Sequence, residues 1–274
     1  MRDLRNHRAL VTGASSGIGR EIARQLAAAG CAVVVAARRQ DRLEELAADL
    51  RTAHGVEVTP VAIDLAEPGA PERLYTAATA DGRALDILVN NAGFGVLRRF
   101  DDLPANVNRD MVTVNVAVVV ALCHRFAADA ASRDRRSYIL NLGSTAAFQP
   151  VPHFATYAAT KHFVLAFSES LAAELSATQV SVTCLCPGGT WTEFFDTSEQ
   201  QLGRLARLSM LDADQVARIG LRAMLRGRRS IVSGGMNKLA AWLIRFVPRR
   251  TAGWIAGRMV GTPPRKQLGA KGVD

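Results

Sequence analysis

The stretch Cys31-Ala32-Val33-Val34-Val35-Ala36 carries no polar side chain. A strand of that kind must be covered on both faces, because apolar surface left in water forfeits the burial that drives folding. Further β-rich runs recur at Ala9–Val11, Val56–Ile63, Asp86–Val89, Tyr138–Leu142 and Val180–Cys186, with helical patterns between them, one from Ile18 and another from Asp41. Strands separated by helix-length segments pair in parallel through crossover helices. The spacing therefore predicts an α/β fold, a doubly wound, mostly parallel sheet with helices on both faces.

No repeat, low-complexity stretch or linker divides the first 235 residues, and Ile231-Val232-Ser233 reads as a last strand. Gly234-Gly235 then opens a tail of different composition, so the expected division is one domain over residues 1–235 and a basic, amphipathic extension over 236–274. The charge follows that division: of 34 Lys and Arg, 13 lie between Gln215 and Val273, where there is no Asp or Glu, which leaves 21 basic against 25 acidic residues elsewhere. The tail's basic residues are interleaved with apolar runs and no reader motif accompanies them, so nucleic acid is not an expected partner. Cys31, Cys123, Cys184 and Cys186 lack metal-type pair spacing, and no metal site is expected. The last two, two apart in an apolar run, should be neighbours on one strand face, and all four are read as buried free thiols of a reducing compartment. The opening Met1–Arg8 lacks the apolar stretch of a secretory signal, so the expectation is a cytoplasmic protein.

Leu10-Val11-Thr12-Gly13-Ala14-Ser15-Ser16-Gly17-Ile18-Gly19 runs from a strand through a glycine-rich turn into a helix. Glycines allow a pyrophosphate close to the backbone, and the first N–H groups of the helix favour negative charge. At the first strand of a βαβ unit this predicts a dinucleotide site of Rossmann type. The cofactor's 2′ position is read after the second strand, which ends Ala36-Ala37-Arg38-Arg39 with no acidic residue. Arg38 is the expected contact to a 2′-phosphate, with Arg39 stacking on the adenine or adding charge, so the cofactor read from the sequence is NADP(H). After the third strand, Asp64 has two readings, accepting from the adenine amino group or capping the next turn, while Leu65 covers the base. After the fourth strand, Asn91, Ala92 and Gly93 suit a backbone lying against the cofactor.

Tyr157 and Lys161 lie four apart on one helix face. An unperturbed tyrosine ionises near pH 10, so proton transfer near neutrality needs a neighbouring positive charge, which Lys161 supplies. Ser144, after the fifth strand, can hydrogen-bond a substrate oxygen at the edge where open sheets bind ligands. Asn115, polar within the apolar helix face Met111–Val120, needs buried partners, either as a structural bridge or as part of a water-linked proton path.

Together with Pro187-Gly188, these motifs make the chain resemble the short-chain dehydrogenase/reductase family in its single-domain form, from Thr12-Gly13 to about Ser233. The resemblance implies that Ser144 and Tyr157 polarise the substrate oxygen, that Tyr157 passes the proton, that Lys161 binds the nicotinamide ribose, and that Asn115 supports a relay through water. It assigns cofactor contacts to Thr192 and the backbone of Thr190, a residue that stands where the family usually has a branched apolar side chain. It also implies a homodimer or homotetramer. A non-enzymatic NADP-binding sensor or scaffold is the competing reading, since a fold can keep a nucleotide and lose turnover.

The substrate loop, about residues 189–211, is apolar through Trp191, Phe194, Phe195, Leu202, Leu205 and Leu208. With His153 and Phe154 near Tyr157, these residues predict a pocket for an apolar carbonyl or alcohol, lipid-like, 3-oxoacyl, steroid or aromatic. In the tail, Lys238–Val247 and Trp254–Val260 are apolar, basic and Trp-bearing, divided by Pro248, and too short to span a bilayer. They fit peripheral association with an anionic membrane surface, or packing against the domain, the lid or a second subunit.

Overall fold

The computed structural model describes residues 3–194 and 210–260. Phe195, Leu202, Leu205 and Leu208 of the substrate loop lie outside the described residues. The main strands are β1 (Arg8–Thr12), β2 (Ala32–Ala37), β3 (Val58–Ala62), β4 (Ile87–Asn90), β5 (Ser137–Leu142) and β6 (Val180–Cys186). Two short strands, β7 (Thr190–Trp191) and β8 (Leu211–Asp212), pair with each other, and β9 (Ser230–Val232) closes the large sheet. The seven-stranded order is β3-β2-β1-β4-β5-β6-β9, with every neighbour parallel. The chain winds outward from β1 to β3 and then, from β4, in the opposite direction, so a crevice opens between the C-terminal ends of β1 and β4.

Alternate side chains of each strand enter two separate cores. Ala9, Val11, Val33 and Val35 pack under α1 (Gly17–Ala28), α2 (Gln40–His54) and the later helix α7 (Ala213–Leu225). Leu10, Val34 and Ala36 face α3 (Ala70–Ala78), α5 (Val118–Ala130) and α6 (Ala155–Glu174). This is the two-sided cover that an all-apolar β2 demands, and each fully buried Val or Leu contributes about 1.5–3 kcal/mol. Strand boundaries differ from the expected ones where local chemistry intervenes. β4 begins at Ile87, one residue past the expected start at Asp86, whose backbone still bonds Arg8 and Tyr138 while its carboxylate accepts the Arg8 N–H at 3.0 Å. β3 begins at Val58, not Val56, because Gly55 first ends α2 in the left-handed region with φ +63°.

Helix α4 (Ala105–Val112) runs through a π turn (Thr113–Ala117) into α5. The combined helix, 26 residues with an 18-residue stretch of mean hydropathy 1.8, is long and apolar enough by composition to cross a membrane. In this fold Val118, Leu122 and Phe126 bury it against the sheet as a core helix. Within the described residues the tail folds as α8 (Gly235–Leu243) and α9 (Arg249–Val260) on either side of Pro248, and residues 261–274 of the expected extension lie outside them. Ala256 of α9 shares a buried cluster with Leu97, Met111, Val151, Phe154 and Tyr157, so the tail is packed onto the residues around the reacting centre.

Candidate active site

A cleft of about 650 Å³ runs along the C-terminal ends of the strands, within the size range of cofactor and substrate sites. Its walls include Gly13, Ser15, Ser16, Gly17 and Ile18 after β1, Arg38 and Arg39 after β2, and Asp64 and Leu65 after β3. Asn91, Ala92 and Gly93 after β4, Ser144 after β5, Tyr157 and Lys161 of α6, and Pro187, Gly188, Thr190 and Thr192 after β6 complete it. Residues far apart in sequence thus meet because every strand of a parallel sheet delivers its following loop to the same edge.

The β1–α1 turn needs glycine twice, since Gly13 and Gly17 hold φ of +65° and +54°. Gly19 lies beneath the cleft, where a Cβ would collide with the Gly13 carbonyl and the Asn91 amide. Asn91 pins the turn: its Nδ2 donates to the Thr12 and Gly13 carbonyls at 2.9 and 3.1 Å. The Thr12 hydroxyl accepts from the Asn91 and Ala92 N–H groups, both at 3.0 Å, and donates to the Val89 carbonyl. Thr12 was not among the expected site residues; the signal was a hydroxyl residue ending an otherwise apolar strand. At the head of α1, Ser16 makes no side-chain cap and the first turn has no acidic residue. The helix N-terminus therefore presents N–H groups and positive potential to the cleft, which fits a pyrophosphate.

On the adenosine side, Asp64 Oδ1 accepts the Ala66 N–H at 2.9 Å, which is the turn-capping use of that carboxylate. Arg39 donates to Glu193 and to the Ser15 hydroxyl at 2.9 and 3.1 Å, and Arg42 joins the same carboxylate at 2.5 Å. These two guanidiniums hold the Glu193 carboxyl below the usual carboxylate range. Arg38 is exposed on the cleft wall and has no ion-pair partner among the described residues.

Tyr157 and Lys161 are 8% and 6% exposed. Burial is the first cause acting on both: it pushes the phenol up to about 12, against hydrogen bonding from Ser144, and brings the ammonium down to about 8. Lys161 Nζ donates to the Leu142 carbonyl at 2.7 Å and stands 5.6 Å from the Tyr157 ring centre. The Ser144 hydroxyl accepts the Ala146 N–H at 3.1 Å, which fixes its orientation at the end of β5. The thiols of Cys184 and Cys186 lie 3.7 Å apart on one face of β6, and their mutual contact and burial raise Cys186 well above its ordinary value.

Asn115 lies in the π turn and not on the cleft wall. Its Oδ1 accepts the Phe94 N–H at 3.1 Å, and its Nδ2 donates to the Phe94 carbonyl at 2.9 Å and to Thr160 Oγ1 at 3.1 Å. The side chain is a bridge from the helix to the loop after β4 and to α6. A second buried chain supports α6 from below: Asn90 donates to Asn141 at 2.8 Å, and Asn141 donates to Ser168 at 2.9 Å. Polar residues in the apolar strands Ile87–Asn90 and Ser137–Leu142 were its trace in the sequence.

Phe154 and Phe194 flank the Tyr157 ring, with centroids 4.4 and 5.6 Å away. Two expected pocket residues are not brought into the cleft. His153, at φ +63°, lies in a turn that lets Val151 and Phe154 face the cleft while His153 lines a side crevice with Phe100 and Met111. Trp191 is 53% exposed because strand alternation in β7 sends Thr190 inward and Trp191 out. Phe195 lies outside the described residues. Asn237, Ala256, Met259 and Val260 of the tail line the cleft instead.

The family model described as short chain dehydrogenase matches residues 7–203. The chain is 32% identical over 222 residues to the probable oxidoreductase EphD of Mycobacterium tuberculosis, covering 76% of this chain and 37% of that protein, so it spans little more than a third of that relative. Among solved structures, a short-chain dehydrogenase from Sphingobium yanoikuyae in complex with NADPH superposes with a TM-score of 0.77 at 27% identity, covering 89% of this chain and 97% of that one. A short chain dehydrogenase/reductase from Burkholderia phymatum in complex with NAD gives 0.80 at 25% identity, covering 96% and 100%.

Proposed function

Because this chain belongs to the short-chain dehydrogenase family of oxidoreductases, we propose that it is an NADP(H)-dependent enzyme acting on the carbonyl or secondary alcohol of an apolar substrate, with Tyr157 as proton donor and acceptor. The observation that carries this reading is the single cleft that joins the glycine turn and Arg38 at one end to Ser144, Tyr157 and Lys161 at the other. Arg39 and Arg42 are paired with Glu193, while Arg38 is exposed on the wall; a lone guanidinium beside the adenosine end suits a 2′-phosphate. When bound, the nicotinamide supplies or accepts the hydride.

The protein's own part is to hold the substrate oxygen and move its proton. Ser144 and Tyr157 reach that oxygen together, and the phenol donates its proton as the oxygen gains charge. A tyrosine pushed up to about 12 by burial is a neutral donor at neutral pH, which suits carbonyl reduction. The Lys161 ammonium, predominantly protonated below pH 8, stabilises the phenolate that remains and restores the phenol when a proton returns. Asn115 acts as a positioning residue, tying Phe94 of the cleft wall to Thr160 of α6, the neighbour of Lys161. Phe94, Val151, Phe154, Phe194, Ala256 and Val260 make the substrate end apolar, which favours a lipid-like, 3-oxoacyl, steroid or aromatic carbonyl over a sugar.

The test is NADPH consumption across 3-oxoacyl, steroid, aromatic and small ketones. We expect turnover of at least one apolar class, a loss of about 10²–10⁴-fold in Tyr157→Phe, and a far larger loss of affinity for NADPH than for NADH in Arg38→Asp. Full activity of Tyr157→Phe would remove it as proton donor, and parallel losses for both cofactors would remove Arg38 as selector. NADPH binding without turnover of any substrate would favour the sensor or scaffold.

A further inference from the structure

Helix α9 is packed the wrong way round for a helix that ends at water. Ala252, Gly253 and Ala256 are the buried residues, and Gly253 and Gly257 pass close to Pro150 and Pro152. The large apolar side chains point outward: Trp254 is 57% exposed and Met259 58%. Helix α8 and the turn after it repeat the arrangement, with Ala241 buried while Met236, Leu239, Trp242 and Phe246 lie in solvent at successive helical turns. A soluble helix ordinarily buries its large apolar face, and a contiguous exposed one marks an interaction site.

The charge on this surface selects the partner. Residues 235–260 carry Lys238, Arg245, Arg249, Arg250 and Arg258 and no acidic residue. Arg258 lies 4.1 Å from the centre of the Trp254 ring, and Trp242 meets Phe246 edge-on at 5.0 Å, so basic groups and aromatic rings share the outer surface. Pairing with a second copy through a two-fold axis would set five cations against five, a repulsive contact. An anionic lipid surface complements both properties, taking the apolar side chains into its acyl boundary and the Lys and Arg at its headgroups.

We propose that α8 and α9 form a docking surface for anionic membrane, placed around the mouth of the cleft. Met259 connects the two, since it lines the cleft and is also exposed on the outer surface. The surface goes beyond the catalytic reading and stands without it, because lipid binding requires no turnover.

The experiment is flotation of the full-length protein with vesicles of phosphatidylcholine alone or mixed with phosphatidylglycerol, at low and high salt. We expect binding to the anionic vesicles only, weakened by salt. Phe246→Glu with Trp254→Glu, and separately Arg249→Glu with Arg250→Glu, should each reduce it by about tenfold or more. Neither pair lines the cleft, so NADPH binding and melting temperature should match the wild type and certify the fold. Equal binding by wild type and variants, or binding indifferent to lipid charge, overturns the proposal. So does the absence of vesicle binding from a wild-type oligomer that these substitutions dissociate, which would assign the surface to a second copy. Failure of the ketone screen leaves the vesicle result untouched, and the reverse also holds.

Discussion

Lys161 is held in a protonation state that works against folding. Burial brings its pKa from the ordinary 10.5 to about 8, so between those values the unfolded chain holds a proton that the folded chain lacks. Stability therefore rises with pH across that window, and below pH 8 the full penalty of burying the ammonium is present. Lys161→Met removes this dependence but leaves the Leu142 carbonyl without its donor. The advantage of the variant over the wild type in denaturation midpoint, whatever its starting sign, should fall between pH 8 and 10. A constant difference would contradict the lowered pKa. Tyr157, raised to about 12, tilts stability the other way only above pH 10, where the folded chain keeps a proton that the unfolded chain loses. The four-residue spacing of Tyr157 and Lys161 was legible in the sequence because a helix repeats every 3.6 residues. Their shifted pKa values were not, because these depend on what the rest of the chain places around them.

Among the elements, the joined helix α4–π–α5 shows where sequence periodicity stops being informative. Its apolar pattern predicted a helix, and Asn115 stood out within it, with a structural bridge and a proton path both open. Among the described residues its side-chain hydrogen bonds go to Phe94 and Thr160. Asn115→Ala would take the partners from the half-buried N–H and C=O of Phe94, at a cost of about 1 kcal/mol each. We expect a melting temperature lower by several degrees, and kcat reduced more than NADPH affinity, because the displaced loop borders the reacting centre. Unchanged stability with lost activity would assign Asn115 to the proton path instead. His153 and Trp191 failed as pocket residues for a related reason: proximity in sequence does not say on which side of a turn or two-residue strand a side chain falls. The glycine turn was legible because its backbone demands are met by few residue types.

For the molecule as a whole, the two ends of the sheet carry different duties. The C-terminal end is open and lined by the loops of the cleft. At the opposite end Asp86, with a side chain only 4% exposed, receives Arg135 at 3.0 Å and Arg133 at 3.7 Å as well as the Arg8 N–H. Asp86→Ala would leave the buried Arg8 N–H without its acceptor and take away the shared partner of Arg133 and Arg135, at a cost of about 1–3 kcal/mol. We expect a melting temperature lower by about 2–4 °C for each kcal/mol lost, with NADPH affinity unchanged; a matching loss of affinity would show that the two ends are coupled. The doubly wound architecture was legible from a few apolar strands, since few folds cover both faces of so many. The tail's place over the cleft was not, because composition marks a segment as apolar without saying which residues it will meet.

The π turn at Thr113–Ala117 holds one residue more than an α-helical turn would. It works as a phase shifter within a single rod. The α4 half is set so that Met111 meets the cluster around Tyr157, and the α5 half so that Val118, Leu122 and Phe126 meet the sheet. A straight α-helix has one angular register and would serve only one of these neighbours. Winding Thr113–Ala117 as α-helix at unchanged length would rotate one half against the other by about 100°, and Asn115 is the bolt that keeps the two settings apart.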